Sequence, residues 1–142
     1  MPGMIEVKKV NDADELEKVF AIRKRVFVDE QGCPPELEWE HEEESVHFLA
    51  LMDGIPAGAS RWRKTDNGYK LERFAVLKEF RGMGVGQALV STVLKDLPQD
   101  ATYAYLHAQL AAMALYAKFG FIKEGEQFEE AGIQHFKMAL FL

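Results

Sequence analysis

The sequence predicts a single α+β domain, residues 1–142, built on a mixed but mostly antiparallel sheet of about six to seven strands flanked by about four helices. Three observations lead there. The chain has 142 residues, the size of one domain with one core. Between residues 46 and 77, three strand-like segments follow one another with turn residues between them, which makes an antiparallel meander. A strand, an amphipathic helix and another strand then run from 69 to 108, and that order demands a right-handed crossover between parallel neighbours.

Met4 to Val10 alternates weakly as a strand. Asn11 or Asp12 offers an N-cap for a helix in which Leu16, Val19, Phe20, Ile22 and Val26 recur at helical spacing. Gly32-Cys33-Pro34-Pro35 breaks the chain, and the acidic stretch after it holds a short helix or an exposed loop. Val46 to Met52 is a buried strand, Asp53-Gly54 a hairpin turn, and Ile55 to Lys64 the returning strand. Asp66-Asn67-Gly68 turns the chain again into a strand from Tyr69 to Leu77. A glycine loop follows, then a helix from Val85 to Leu97 with Leu89, Val90, Val93, Leu94 and Leu97 on one face, ending near Pro98. Thr102 to Ala108 is the next strand, and Leu110 to Phe119 a short helix stopped by Gly120. Phe121-Ile122 and His135 to Leu142 close the sheet around a connection containing Gly125 and Gly132.

Composition excludes several functions. Hydrophobic residues make up 48% and charged residues 28%, a globular balance. The net charge of -6 is carried by Glu36, Glu38, Glu40, Glu42, Glu43 and Glu44, and no run of Lys and Arg makes the basic face that nucleic acid requires. Cys33 is the single cysteine, so a reducing, cytoplasmic setting fits best. No apolar run approaches the roughly 20 residues that span a bilayer, and the stretch Met1-Pro2-Gly3-Met4-Ile5-Glu6 lacks the apolar core expected of a signal peptide. His41, His47, His107 and His135 lack the paired helical spacing of a zinc site, so no metal is expected. A homodimer is compatible with this composition.

The loop Arg81-Gly82-Met83-Gly84-Val85-Gly86 alternates glycines between a strand and a helix. Bare backbone at a helix N-terminus, where amides and the positive dipole end point outward, is an anion site. It is no P-loop, because Gln87-Ala88 stands where Lys and Ser or Thr are needed. A dinucleotide fold is disfavoured too: 102 to 109 carries no acidic residue to hold a ribose.

Arg81-x-x-Gly84-x-Gly86, after a strand ending in Ala75-Val76, resembles the signature of the GNAT superfamily of N-acetyltransferases. Ala112-x-x-Leu115-Tyr116-x-x-Phe119-Gly120-Phe121 is similar to the family's second landmark. Arg23-x-x-Val26-Phe27-x-x-Glu30-Gln31, Leu71-Glu72-Arg73 and Ala131-Gly132-Ile133-x-His135 look most like the ElaA-like branch. The resemblance spans nearly the whole chain and implies a sheet splayed between the strands 69–77 and 102–108. It implies acetyl-CoA, or another acyl-CoA, as co-substrate. The pantetheine arm would run beside Phe74, Ala75 and Val76, and the diphosphate would sit on the amides of Arg81, Gly82, Met83, Gly84, Val85 and Gly86. Gln109 stands where many members carry Asn.

Direct transfer of an acyl group to a primary amine of a small molecule or peptide, in a ternary complex, is the implied reaction. An alkylamine of pKa about 10.4 is unprotonated only about once in 2,500 molecules at pH 7, so a base helps. Glu72 is the first side-chain candidate, if burial raises its pKa; the other reading is an ion pair with Arg61, Arg63 or Arg73. By resemblance Tyr116 protonates the departing thiolate, and a backbone amide near Val76 meets the oxyanion. Arg61 and Arg63, on one face of their strand, are candidates to hold a carboxylate or phosphate on the acceptor, with His107 as a further acceptor contact. The competing readings are an acyl-CoA sensor without chemistry and a relative of acyl-homoserine-lactone synthases. Tyr116 and Glu72 favour catalysis over the sensor, and the chain lacks the length of the synthases.

Overall fold

The computed structural model describes residues 3–34 and 41–142, so positions 36–40 of the acidic stretch lie outside the described residues. Strand β1 (Ile5–Lys9) pairs antiparallel with β2 (Val46–Met52), β2 with β3 (Ile55–Thr65), and β3 with β4 (Gly68–Val76). The β2–β3 turn places Asp53 at φ 51° and Gly54 at φ 82°. Two positive φ values make the mirror-image turn whose twist matches that of the strands it joins.

β4 and β5 (Tyr103–Gln109) are parallel, yet only Tyr69↔Ala104 and Lys70↔Tyr105 are paired. Beyond Lys70 the strands part, which is the expected splay. β5 pairs with β7 (Ile133–Phe141), and β7 with β6 (Ile122–Glu130), so the seven strands lie in the order β1-β2-β3-β4-β5-β7-β6.

The closing hairpin is longer than the sequence suggested. Gly125, read as part of a connection, lies inside β6 at φ 83°, where the register shifts between Glu124 and Phe128. It serves a bulge in a strand, and the turn itself is Ala131-Gly132, at φ 51° and 78°.

Three α-helices are present among the described residues. In α1 (Ala13–Arg23) the Asp12 side chain caps the N-terminus by accepting from the Glu15 amide at 2.8 Å. Beyond the expected end near Val26, α1 continues as a π-helix, Lys24–Glu30, whose wider bonds include Gln31 N–H to Val26 O at 3.1 Å. That extension carries Glu30 and Gln31 to the mouth of the splay. Helix α2 (Val85–Asp96) follows the glycine loop, and α3 (Met113–Ala117) follows a 3-10 turn at Leu110–Ala112.

Two cores sandwich the sheet. Val19, Ile22 and Val26 pack on Leu49, Ala59, Ala75 and Leu77 at one face. Val85, Leu89, Val90 and Val93 pack with Phe48, Ala50, Leu71, Leu106 and Tyr116 at the other. Gly58 lets α2 approach β3: a Cβ there would lie 2.9 Å from Ala75 O and 3.0 Å from Val85 Cγ1. Gly58→Ala is therefore expected to lower stability by about 1–3 kcal/mol through overpacking, read as a lower urea midpoint with an unchanged slope.

Candidate active site

The splay opens a cleft through the sheet. On the α1 face a cavity of about 260 Å³ is lined by Phe27, Glu30, Gln31, Lys70, Glu72, His107, Glu130 and His135, among others. On the α2 face a second cavity, of about 460 Å³, is lined by Phe80, Gly82, Gly84, Val85, Gly86 and Leu115. Phe74, Val76, Arg81, Gln109, Ala112 and Tyr116 line both. Molecules entering from opposite faces would thus meet between β4 and β5.

The glycine loop has the form of an anion cradle. Gly84 is the N-cap of α2 at φ 91°, and no side chain caps the helix. Its first amides have no intrahelical acceptor, so they and the positive dipole end face the second cavity. Gly82 is also left-handed, at φ 79°, and Gly86 admits α3, since a Cβ there would be 3.2 Å from Leu115 Cδ2.

The Arg81 side chain is engaged within the protein, while its amide belongs to the loop. Its guanidinium makes two bonds to Glu30, at 2.6 and 2.7 Å, while its Nε donates to Val76 O at 3.0 Å. The Glu30 carboxyl is held below its ordinary range by that hydrogen bond. Arg81 thereby ties the π-helix to the end of β4 beside the cradle.

β4 carries a bulge at the same place. Its register to β3 shifts between Ala59↔Ala75 and Arg61↔Glu72, and Arg73 takes φ 60°, rare for a residue with a Cβ. The bulge turns Phe74 onto Tyr116, ring edge to face with centroids 5.6 Å apart. Tyr116 is buried, and burial raises its phenol above the ordinary value, so it stays protonated. Among the described residues no hydrogen bond engages its hydroxyl.

Glu72 requires a correction. Burial alone would raise its pKa, as the sequence reading supposed, but Arg61, Lys70 and Arg63 outweigh desolvation and hold it at about 2. Arg61 Nε and Arg63 Nε donate to the same Oε1 at 3.0 and 2.6 Å, and Lys70 Nζ lies 3.4 Å from Oε2. Such a carboxylate is a poor base, and the ion-pair reading prevails. Arg61 and Arg63 are corrected with it: Arg61 is 0% exposed, and neither lines the cavities. Their guanidinium groups serve Glu72 rather than an acceptor.

The remaining candidates come together on the α1 side. Gln109 exchanges amide hydrogen bonds with Gln31, at 3.0 and 3.5 Å, so its extra methylene spans to the π-helix. His107 Nδ1 lies 3.0 Å from Glu130 Oε2, and its ring meets the Phe128 ring edge-on. Buried His135 donates Nδ1–H to Ile133 O at 2.7 Å and stacks on Phe128 as well. Glu30, Gln31 and Glu130 were not singled out as site residues in the sequence; the first two stand in the stretch that resembles the ElaA-like branch. Among the described residues no group of three or more His, Cys, Asp or Glu is placed to hold a metal ion. No helix there is long and apolar enough to cross a membrane.

A mixed sheet opened between two parallel strands, with an uncapped glycine-rich helix start on one side, defines the GNAT class of transferases. Residues 10–142 match the family described as the acetyltransferase (GNAT) domain. The chain is 37% identical over 128 residues to the uncharacterised N-acetyltransferase YjcF of Bacillus subtilis, covering 88% of this chain and 91% of YjcF. It superimposes on Escherichia coli ElaA with a TM-score of 0.81 and 29% identity, covering 96% of this chain and 99% of that one. An acyl-CoA N-acyltransferase from Pseudomonas aeruginosa gives a TM-score of 0.81 at 26% identity, covering 96% and 97%. The chain belongs to the GNAT acetyltransferase family, and its likeness to ElaA supports the ElaA-like branch.

Proposed function

We propose that the protein moves an acetyl or another acyl group from acyl-CoA to a primary amine of a small molecule or peptide, with donor and acceptor bound together. One observation carries the reading: cavities on opposite faces of the sheet share a wall that contains Tyr116. The donor, when bound, supplies an activated thioester. The amides of Gly84, Val85 and Gly86 hold its diphosphate at the start of α2. Phe74 and Val76 line the passage along which its arm lies. Tyr116 gives its proton to the departing sulfur. The kinship with an acyl-CoA N-acyltransferase supports this donor. A single cysteine and a soluble donor fit a cytoplasmic setting.

Acetyl-CoA at 100 times its Kd is expected to add about 2.7 kcal/mol of stability, a rise of roughly 5–10 °C in Tm for a chain of this size. Arg81→Ala combined with Gly84→Asp places a carboxylate in the cradle, and the rise should vanish. An undiminished rise in the double variant refutes the diphosphate assignment. Free-thiol release with a panel of amines and amino sugars then tests transfer; binding with no release for any amine would leave a sensor.

A further inference from the structure

We propose that His107 is the general base of the acyl transfer, held in its working tautomer by Glu130 as a positioning residue. The inference rests on the N-acyltransferase reading above. Transfer to an amine takes a proton from the acceptor nitrogen, so the α1-side cavity must present a lone pair. Glu72 is closed to that task by Arg61, Arg63 and Lys70. Glu30 is clamped on Arg81. Tyr116 holds its proton.

Two imidazoles remain on the wall of that cavity. The His135 residue is 6% exposed, whereas the His107 side chain keeps 26% of its surface open. An ionised carboxylate only accepts, so the proton shared with Glu130 sits on His107 Nδ1, and Nε2 keeps its lone pair. Phe128, edge-on at 5.0 Å, fixes the ring plane. Glu130 ends β6 just before the Ala131-Gly132 turn, so the hairpin geometry holds the carboxylate over β5.

The charged and titratable groups around His107 come from every neighbouring element. Lys70, Glu72 and Arg73 from β4, Glu30 from the π-helix, Arg81 from the glycine loop, Tyr116 from α3, Glu130 from β6 and His135 from β7 line the same cavity. Lys137, opposite His107 on β7, pairs with Glu124 at 3.0 Å.

In the step, His107 Nε2 takes the proton as the nitrogen electron pair forms the N–C bond. The C–S electron pair leaves on sulfur, which takes the Tyr116 proton. Solvent then removes one proton from His107 and returns one to Tyr116, so an N–H is lost and an S–H gained.

Long-range nitrogen NMR of the imidazoles tests the geometry without any acceptor, with His107→Gln assigning the signals. The expected result is the Nδ1–H tautomer of neutral His107, lost as the dominant form in Glu130→Ala, which removes the acceptor; an Nε2–H tautomer in the wild type overturns the proposal. Kinetics use acetyl-CoA and the most active amine of the panel. His107→Ala should cost about 10²–10⁴-fold in kcat/KM, remove the acid limb of its pH profile and keep the acetyl-CoA shift in Tm. Added imidazole should restore part of the rate. Glu130→Ala should lower kcat/KM in step with the loss of the Nδ1–H tautomer, and Glu130→Asp should restore part of both. If His107→Ala keeps the rate and the limb, His107 is not the base. If the wild type shows no acetyl-CoA shift, the acyltransferase reading falls first and the base with it.

Discussion

Glu72→Gln will lower the unfolding free energy by about 3–5 kcal/mol at pH 7, because it strips a fully buried guanidinium of its main counter-charge. Arg61 is 0% exposed, with Nη2 2.8 Å from Glu72 and Nη1 3.4 Å from the more distant Glu42. Glu42 is itself occupied by Arg23, at 2.6 and 3.0 Å. A neutral amide cannot replace the lost charge. The same pairing fixes a pH dependence. The Glu72 carboxyl sits at about 2 when folded and near 4.3 when unfolded. A depressed folded pKa contributes stability that is complete above the unfolded value and is lost as pH falls from about 4.3 toward 2. That difference is worth about 3 kcal/mol. Urea unfolding of wild type and variant at pH 7 should therefore show the full gap, which narrows steadily in acid. Equal midpoints at pH 7 would return Glu72 to the list of acid–base candidates.

Tyr116→Phe is expected to cost about 10²-fold in kcat, the lower end of what a positioned acid contributes, while leaving the acetyl-CoA shift in Tm intact. The hydroxyl makes no hydrogen bond among the described residues, so its removal strands no buried partner and the fold should tolerate it. The ring keeps its contacts to Phe74 and Phe121. Burial makes the phenol a weaker acid than in water. It also makes a departing thiolate a stronger base, so the proton still has somewhere to go. Turnover equal to wild type, measured by thiol release, would remove Tyr116 from the chemistry.

Much of this was legible in the residues, and the misses have physical causes. Turn chemistry announced the meander: Asp53-Gly54 demanded a turn of positive φ, and the following strands fell into register. The three alternating glycines announced the cradle. Strand β6 stayed hidden because it is an outer strand with exposed residues on both sides, so Ile122 to Glu130 shows no alternation of burial. Gly125 reads as a loop in such a segment when it is in fact a bulge. The partner of His107 was hidden with it, since Glu130 lay in what the sequence offered as a connection. Glu72 was placed on the correct strand, but the sign of its pKa shift depends on three cations converging within 3.4 Å, a sum that no spacing rule yields. Arg81 and Glu30, 51 positions apart, meet where α1 has widened into a π-helix, a change that the periodicity of the sequence does not announce.

The seam between β4 and β5 is two residue pairs long. The four-stranded half and the three-stranded half are thus joined by a backbone hinge so short that swinging one against the other breaks almost no ladder. Side chains such as Leu71, Leu106 and Tyr116, which bridge that gap, set its angle in place of the main chain. Trimming Leu71 or Leu106 should loosen that angle while the ladders on either side keep their register.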